Sequence, residues 1–227
     1  MRPTVLLFDI DGTLVSTGGA GRRAIARAFA MVHTRPDAVT FRLDGMTDRL
    51  IVRRGLDAIG VEPTAAAIDE VLSAYLSILS DEIRQVPEAS YVVHPGIREA
   101  IVAAQTRGAA VGLGTGNVRE GARVKLERAA LYQHFGFGGF GCDAEVRLDL
   151  IRLGAERGAQ ALGLPLSACR VVIIGDTPHD VSAAQGIGAE CLGVGTGYYS
   201  AKQLLECGAT FAFDDLKSDG AIDALLG

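Results

Sequence analysis

Several short stretches of this chain are continuously apolar where a half-exposed strand would alternate: residues 5–10, broken only by Asp9, then 109–113, 171–174 and 190–194. A strand written that way is buried on both faces, which in a globular protein means a parallel sheet with helices packed on either side. Between the later runs lie helix-length patterns at 96–107, 119–131, 150–162 and 180–186. Strand and helix in alternation predict a doubly wound, Rossmann-like α/β core.

The stretch after the first run breaks that rhythm. Residues 20–33, 47–59 and 64–85 read as amphipathic helices, with Ile68, Val71, Leu72, Tyr75 and Leu79 recurring three and four apart. No strand is expected among them. The reading is a helical domain over 16–89, inserted after the first strand and closed by Pro87 and the His94-Pro95-Gly96 turn, with a discontinuous core at 1–15 and 90–227.

Composition narrows the function classes. A hydrophobic share of 48% and a charged share of 22% are those of an ordinary globular chain. The net charge of −5 argues against nucleic acid or an anionic membrane as the main partner. A small anionic substrate stays compatible with it, because a site can be locally positive. Cys142, Cys169, Cys191 and Cys207 form no CxxC pair, so neither a zinc site nor a disulfide framework is expected. The apolar start stops at Asp9, too short for a signal peptide, and no run reaches the roughly 18 residues of a membrane span. The expectation is a cytoplasmic monomer or small homo-oligomer.

The apolar runs end in polar clusters, and in open α/β sheets ligands collect at the carboxyl ends of the strands. The first ends in Asp9-Ile10-Asp11-Gly12-Thr13, the second in Gly114-Thr115-Gly116-Asn117, the third in Gly175-Asp176-Thr177-Pro178-His179-Asp180. Asp9, Asp11, Asp176 and Asp180 are thus expected at one edge of the sheet. Like charges so placed are costly unless a cation neutralises them or some become protonated, and oxygen-only ligands suit Mg²⁺. Gly12, Thr13, Thr115, Gly116 and Asn117 read as a cradle offering backbone N–H groups to a phosphoryl group. The run Gly112-Leu113-Gly114-Thr115-Gly116-Asn117 only partly imitates a dinucleotide fingerprint, lacking its third glycine and the acid that ends the next strand.

These residues resemble the motifs of the haloacid dehalogenase superfamily, in order and over the whole chain. Asp-x-Asp-Gly-Thr stands as Asp9 to Thr13, the Ser/Thr motif as Thr115, and the Gly-Asp-Thr…Asp motif as Gly175, Asp176, Thr177 and Asp180. The resemblance implies that Asp9 is a nucleophile and metal ligand and that Asp11 is the acid and base, binding Mg²⁺ through its main-chain carbonyl. It further implies Asp176 as second carboxylate ligand, Asp180 as support for the metal's waters, and Thr115 as a donor to the transferring phosphoryl group. The family's Lys motif is absent as Lys-Pro. Arg147 is the preferred substitute and Lys125, ten residues after Thr115, the alternative. The helical insert resembles the cap of the phosphoglycolate phosphatase and β-phosphoglucomutase relatives, with Gly45-Met46-Thr47-Asp48-Arg49 as a candidate stretch for touching the substrate and a plain helix start as the other reading of Thr47, Asp48 and Arg49. His94 and His179 are expected to be structural.

The resemblance implies a Mg²⁺-dependent phosphatase acting on a small phosphorylated metabolite, phosphoglycolate-like, through an aspartyl-phosphate. A phosphosugar mutase shares the first step, and a non-catalytic binding module shares the fold. Dehalogenation is disfavoured because Asp11 and the acid cluster are present. Gly12 and Gly18-Gly19 are candidate hinges.

Overall fold

The computed structural model describes residues 2–227. The apolar runs are strands: β1 (Thr4–Phe8), β4 (Ala110–Gly114), β6 (Arg170–Gly175) and β7 (Glu190–Val194). With β5 (Gly138–Gly139) and β8 (Phe211–Phe213) they form one parallel sheet in the order β5-β4-β1-β6-β7-β8. Helices α4 (Ile97–Thr106), α5 (Arg119–Glu127), α6 (Arg147–Ala161), α7 (Pro178–Gly186), α8 (Ala201–Glu206) and α9 (Ala221–Leu226) accompany it. The doubly wound α/β core is therefore as the apolar runs predict.

Both faces of β1 are dry, and its side chains alternate between two apolar layers. Leu6 and Phe8 join one cluster, Val5 and Leu7 the other. Register then sets the level of the site. Phe8 lies opposite Leu113 of β4 and Ile174 of β6, so the residues just beyond them, Asp9, Thr115 and Asp176, emerge at one height. β1 stops at Phe8 rather than at residue 10 because the chain leaves the ladder to turn: Leu14 and Val15 both donate their N–H groups to the Ile10 carbonyl.

Between β2 (Val15–Thr17) and β3 (Tyr91–Val93) come α1 (Ala20–His33), α2 (Asp48–Ala58) and α3 (Ala65–Gln85). Thr47 caps α2 by accepting from the Leu50 N–H at 3.2 Å, and Thr64 caps α3 by accepting from Ala67 at 3.2 Å. The apolar stripe of α3 is buried, and α3 packs on α1, on α2 and on α5. β2 and β3 pair antiparallel, with Thr17 opposite Tyr91, and so gather the two connections of the helical segment into a neck. Among the described residues no helix is long and apolar enough to cross a membrane.

Candidate active site

Asp9, the first residue after the central strand, is buried against its neighbours: its carboxylate meets the Arg147 guanidinium at 2.9 Å. Arg147 opens α6 and binds Asp180 as well, through Nε at 3.1 Å and through Nη2. Asp180 is fully enclosed, and its other oxygen accepts from the backbone N–H of Thr177 at 3.1 Å and from the Thr177 hydroxyl at 2.7 Å, capping α7. The carboxylates of Asp9, Asp176 and Asp180 converge, with one oxygen of each within 4.8 Å of the others. Thr13 donates its hydroxyl to Asp176 at 2.9 Å. Gly12 runs beside the same carboxylate at φ +80°, and a Cβ there would lie 2.3 Å from its oxygen, so the turn needs glycine for both conformation and space.

Asp11 does not join that cluster. Its carboxylate accepts from Lys125 Nζ at 2.6 Å and from Asn117 Nδ2 at 2.9 Å. Asn117 also receives Lys125 on its amide oxygen at 2.6 Å and donates to the Thr115 hydroxyl at 2.9 Å. The two basic residues weighed from sequence therefore both reach the site, on different acids: Arg147 holds Asp9 and Asp180, Lys125 holds Asp11. Lys125 stood in the sequence as the alternative to Arg147, but its hold on Asp11 was not legible because its helix face is fixed only by how α5 packs.

The electrostatics follow from burial. Loss of water raises the Asp9 carboxyl to about 6, opposed by Arg147 and assisted by Asp180. Burial, with Asp180 and Asp9 beside it, pushes Asp176 well above the usual carboxylate range. Burial alone would lower Lys125, but Asp11 and Asp48 outweigh it and hold the ammonium raised. An oxygen-only set of converging buried carboxylates, carrying more negative charge than the single Arg147 beside it offsets, fits a hard divalent cation such as Mg²⁺. Asp9 and Asp176 would hold it, with Asp180 fixing the surroundings.

The expected N–H cradle is narrower than the sequence suggests. Gly12 and Thr13 donate their N–H groups within the turn, to Val15 and Ile10. Thr115 donates to Gly139 at 3.0 Å, and Asn117 to the Thr115 hydroxyl at 3.3 Å. The Val118 N–H at the start of α5 is taken by Asp48 at 2.8 Å. Short turns satisfy their own donors first.

Asp9, Asp11, Asn117, Lys125, Arg147 and Asp176 line a cavity of about 430 Å³ between sheet and helical segment. Of the candidate stretch 45–49, Gly45, Met46 and Asp48 line it. Thr47 is spent on its cap and on the Glu145 carbonyl at 3.0 Å, and Arg49 pairs with Asp69 at 2.7 Å. Tyr75 of α3 and Gly197-Tyr198, just beyond β7, were not anticipated. The strand-end rule would have found the latter pair. Nothing in the pattern of α3 distinguishes Tyr75 from a core residue. His94 bonds Ser16 at 3.1 Å and His179 packs against Gly45, and neither is among the residues lining the cavity.

A parallel doubly wound sheet whose central strand delivers a buried Asp into an acid cluster, under a helical cover, defines a class of hydrolases and phosphotransferases. Residues 3–188 match the model of the haloacid dehalogenase-like hydrolases, and the chain belongs to that family. It is 28% identical to a phosphoglycolate phosphatase of Rhodospirillum rubrum, over 96% of this chain and 90% of that one. A probable phosphatase, IndB, of Dickeya dadantii is also 28% identical, over 90% and 86%. In fold it is similar to CbbY of Rhodobacter sphaeroides, solved with phosphate, at TM-score 0.73 and 20% identity over 98% of this chain and all of the other. Family, relatives and site make it a hydrolase of the phosphatase type.

Proposed function

We propose that the protein is a Mg²⁺-dependent phosphatase that cleaves a small phosphomonoester through an aspartyl-phosphate on Asp9. The observation that carries this is the position of Asp9: beyond the central strand, buried beside Arg147, and open to a cavity that Asp11 shares from the opposite side. Bound Mg²⁺ would neutralise the clustered carboxylates and the phosphoryl oxygens, allowing one anion to approach another.

The chain's own residues supply the rest. Asp9 Oδ attacks phosphorus as the ester P–O bond breaks, and Asp11 gives its proton to the departing alkoxide. Asp11 then takes a proton from water, whose oxygen attacks the acyl phosphate and releases inorganic phosphate and free Asp9. Arg147 and Thr115 stabilise charge on the transferring group, while Asn117 and Lys125 position Asp11. Residues 16–89 act as a cap that closes over the cavity and excludes water, on a core of 1–15 and 90–227.

Phosphate release from p-nitrophenyl phosphate and a panel of small esters, with phosphoglycolate as reference because the relatives bear that name, tests the proposal. Turnover with Mg²⁺ is expected to vanish with EDTA and in Asp9→Asn, and mass spectrometry of quenched enzyme should find phosphate on Asp9. An isomerised ester without phosphate release would make the protein a mutase instead.

A further inference from the structure

The side of the cavity away from the acid cluster has its own chemistry, and it bears on the alcohol that leaves. Three cations line the cavity, and each is engaged. Arg147 is held by Asp9 and Asp180, and Lys125 by Asp11 and Asn117. Arg22 of α1 donates to the carbonyls of Val39 at 3.1 Å and Phe41 at 2.8 Å, bracing the loop before α2. The acids beyond the cluster are Asp44, paired with Arg42 at 3.0 Å, and Asp48, which no cation contacts within ion-pair distance among the described residues. Carbonyls leave the Arg22 charge in place, but among the described residues five acids line the cavity against three cations, so a carboxylate or second phosphate on the leaving group would enter a region of net negative charge.

Two polar groups there are unspent. Tyr75 is 2% exposed, yet its hydroxyl makes no hydrogen bond among the described residues. It stands beside Gly21 together with Lys125 Nζ: a Cβ on Gly21 would be 4.0 Å from the hydroxyl and 3.4 Å from the ammonium. Asp48 uses one oxygen on the Val118 N–H and leaves the other without a partner among the described residues. Ile25, Leu43, Met46 and Ile51 supply apolar wall around these groups. A volume of about 430 Å³ lies within the roughly 300–1,000 Å³ of sites for drug-sized ligands, and a two-carbon acid phosphate leaves much of it unfilled.

We propose that the cavity selects a neutral, hydroxyl-bearing alcohol as leaving group, of the sugar or polyol kind, read by the Tyr75 hydroxyl and the free oxygen of Asp48. A substrate hydroxyl donates to Asp48 and accepts from Tyr75, while its carbon skeleton lies on the apolar wall. The inference rests on the phosphatase reading and specifies its substrate class.

The test compares kcat/KM of the full-length enzyme with Mg²⁺ on glycerol 3-phosphate, ribose 5-phosphate, phosphoglycolate, fructose 1,6-bisphosphate and p-nitrophenyl phosphate. The neutral polyol and sugar esters should exceed phosphoglycolate and the bisphosphate by about tenfold or more, as a site lined by more acids than cations disfavours a second anion. Tyr75→Phe should reduce that preference about tenfold through KM, the scale of one buried hydrogen bond. Binding of ribose 5-phosphate to Asp9→Asn enzyme, with and without Tyr75→Phe, checks the same contact without turnover. A preference for phosphoglycolate or the bisphosphate, or binding indifferent to Tyr75→Phe, overturns the selectivity and leaves the phosphatase standing. Failure to turn over any ester, p-nitrophenyl phosphate included, overturns both.

Discussion

At the residue scale, Arg147 does two jobs that a lysine would divide. Its guanidinium spans Asp9 and Asp180, so one buried fork neutralises two carboxylates. Lysine presents a point charge and cannot grip both in a fixed plane. Removing one partner of a buried pair costs about 3–5 kcal/mol. Arg147→Ala is therefore expected to lower the melting temperature in EDTA and to cut kcat on p-nitrophenyl phosphate about 100-fold or more, on the scale of a lost transition-state donor. Arg147→Lys should recover part of both. Thermal melts and initial rates on the three proteins decide it, and an Ala variant as stable and active as the parent would remove Arg147 from the site. The reacting acids were legible because a carboxylate at the end of a doubly buried strand is costly to keep there without chemistry to do. The place of Tyr75 was not, and neither was the hold of Asn117 and Lys125 on Asp11, since these side chains are brought to the site only by packing between elements.

At the element scale, strands buried on both faces and long amphipathic helices announced themselves, and β7 and α1 fall on their expected bounds. The short elements did not. Val15–Thr17 is three residues long and its partner lies beyond three helices, so no local pattern marks the pair. The same holds for β5, β8, α8 and α9, whose few residues are ordered by the sheet they join. Asp48, at the start of α2, shows how an element boundary couples to pH. Burial raises its folded carboxyl from 3.8 to about 6, against the pull of Lys125 and the Val118 N–H. The folded state thus keeps a proton that the unfolded chain has given up between those values. Stability falls as pH rises through that window, and the penalty then persists, on the order of 3 kcal/mol at most. Asp48→Asn escapes it but makes a weaker neutral bond to Val118. It should melt above the parent at pH 8, by about 1–2 kcal/mol in free energy, with the difference shrinking towards pH 4. Denaturant melts at pH 4, 6 and 8 measure this; a difference that grows on acidification would contradict it.

At the scale of the whole molecule, the helical segment and the sheet meet through a few specific seams around the cavity. Backbone crosses directly: the Asp48 N–H donates to the Gly116 carbonyl at 2.8 Å. Arg53 of α2 grips Glu145, just before α6, and Arg42 lies over the Tyr198 ring at 3.9 Å. The ion pair is partly exposed, and such pairs contribute about 0–1 kcal/mol, so it guides closure more than it enforces it. The backbone seam is less forgiving. A Cβ on Gly116 would stand 2.4 Å from the Met46 carbonyl oxygen and 2.9 Å from the Thr47 Cα, and main chain on both sides has little room to yield. Gly116 has no positive φ, so alanine suits its own conformation and the strain falls on the seam. Gly116→Ala should therefore leave the sheet folded but prop the segment 45–52 away from the core. Amide exchange would then quicken through that segment, while amides of β1 and β6 keep their protection. Because the helical segment supplies Asp48 and Tyr75 to the cavity, KM for a bound ester should rise about tenfold, the worth of one or two such contacts. Hydrogen exchange that stays at the parent's rate over 45–52, with KM unchanged, would show that the seam is dispensable and that the helical segment is held by its apolar packing alone.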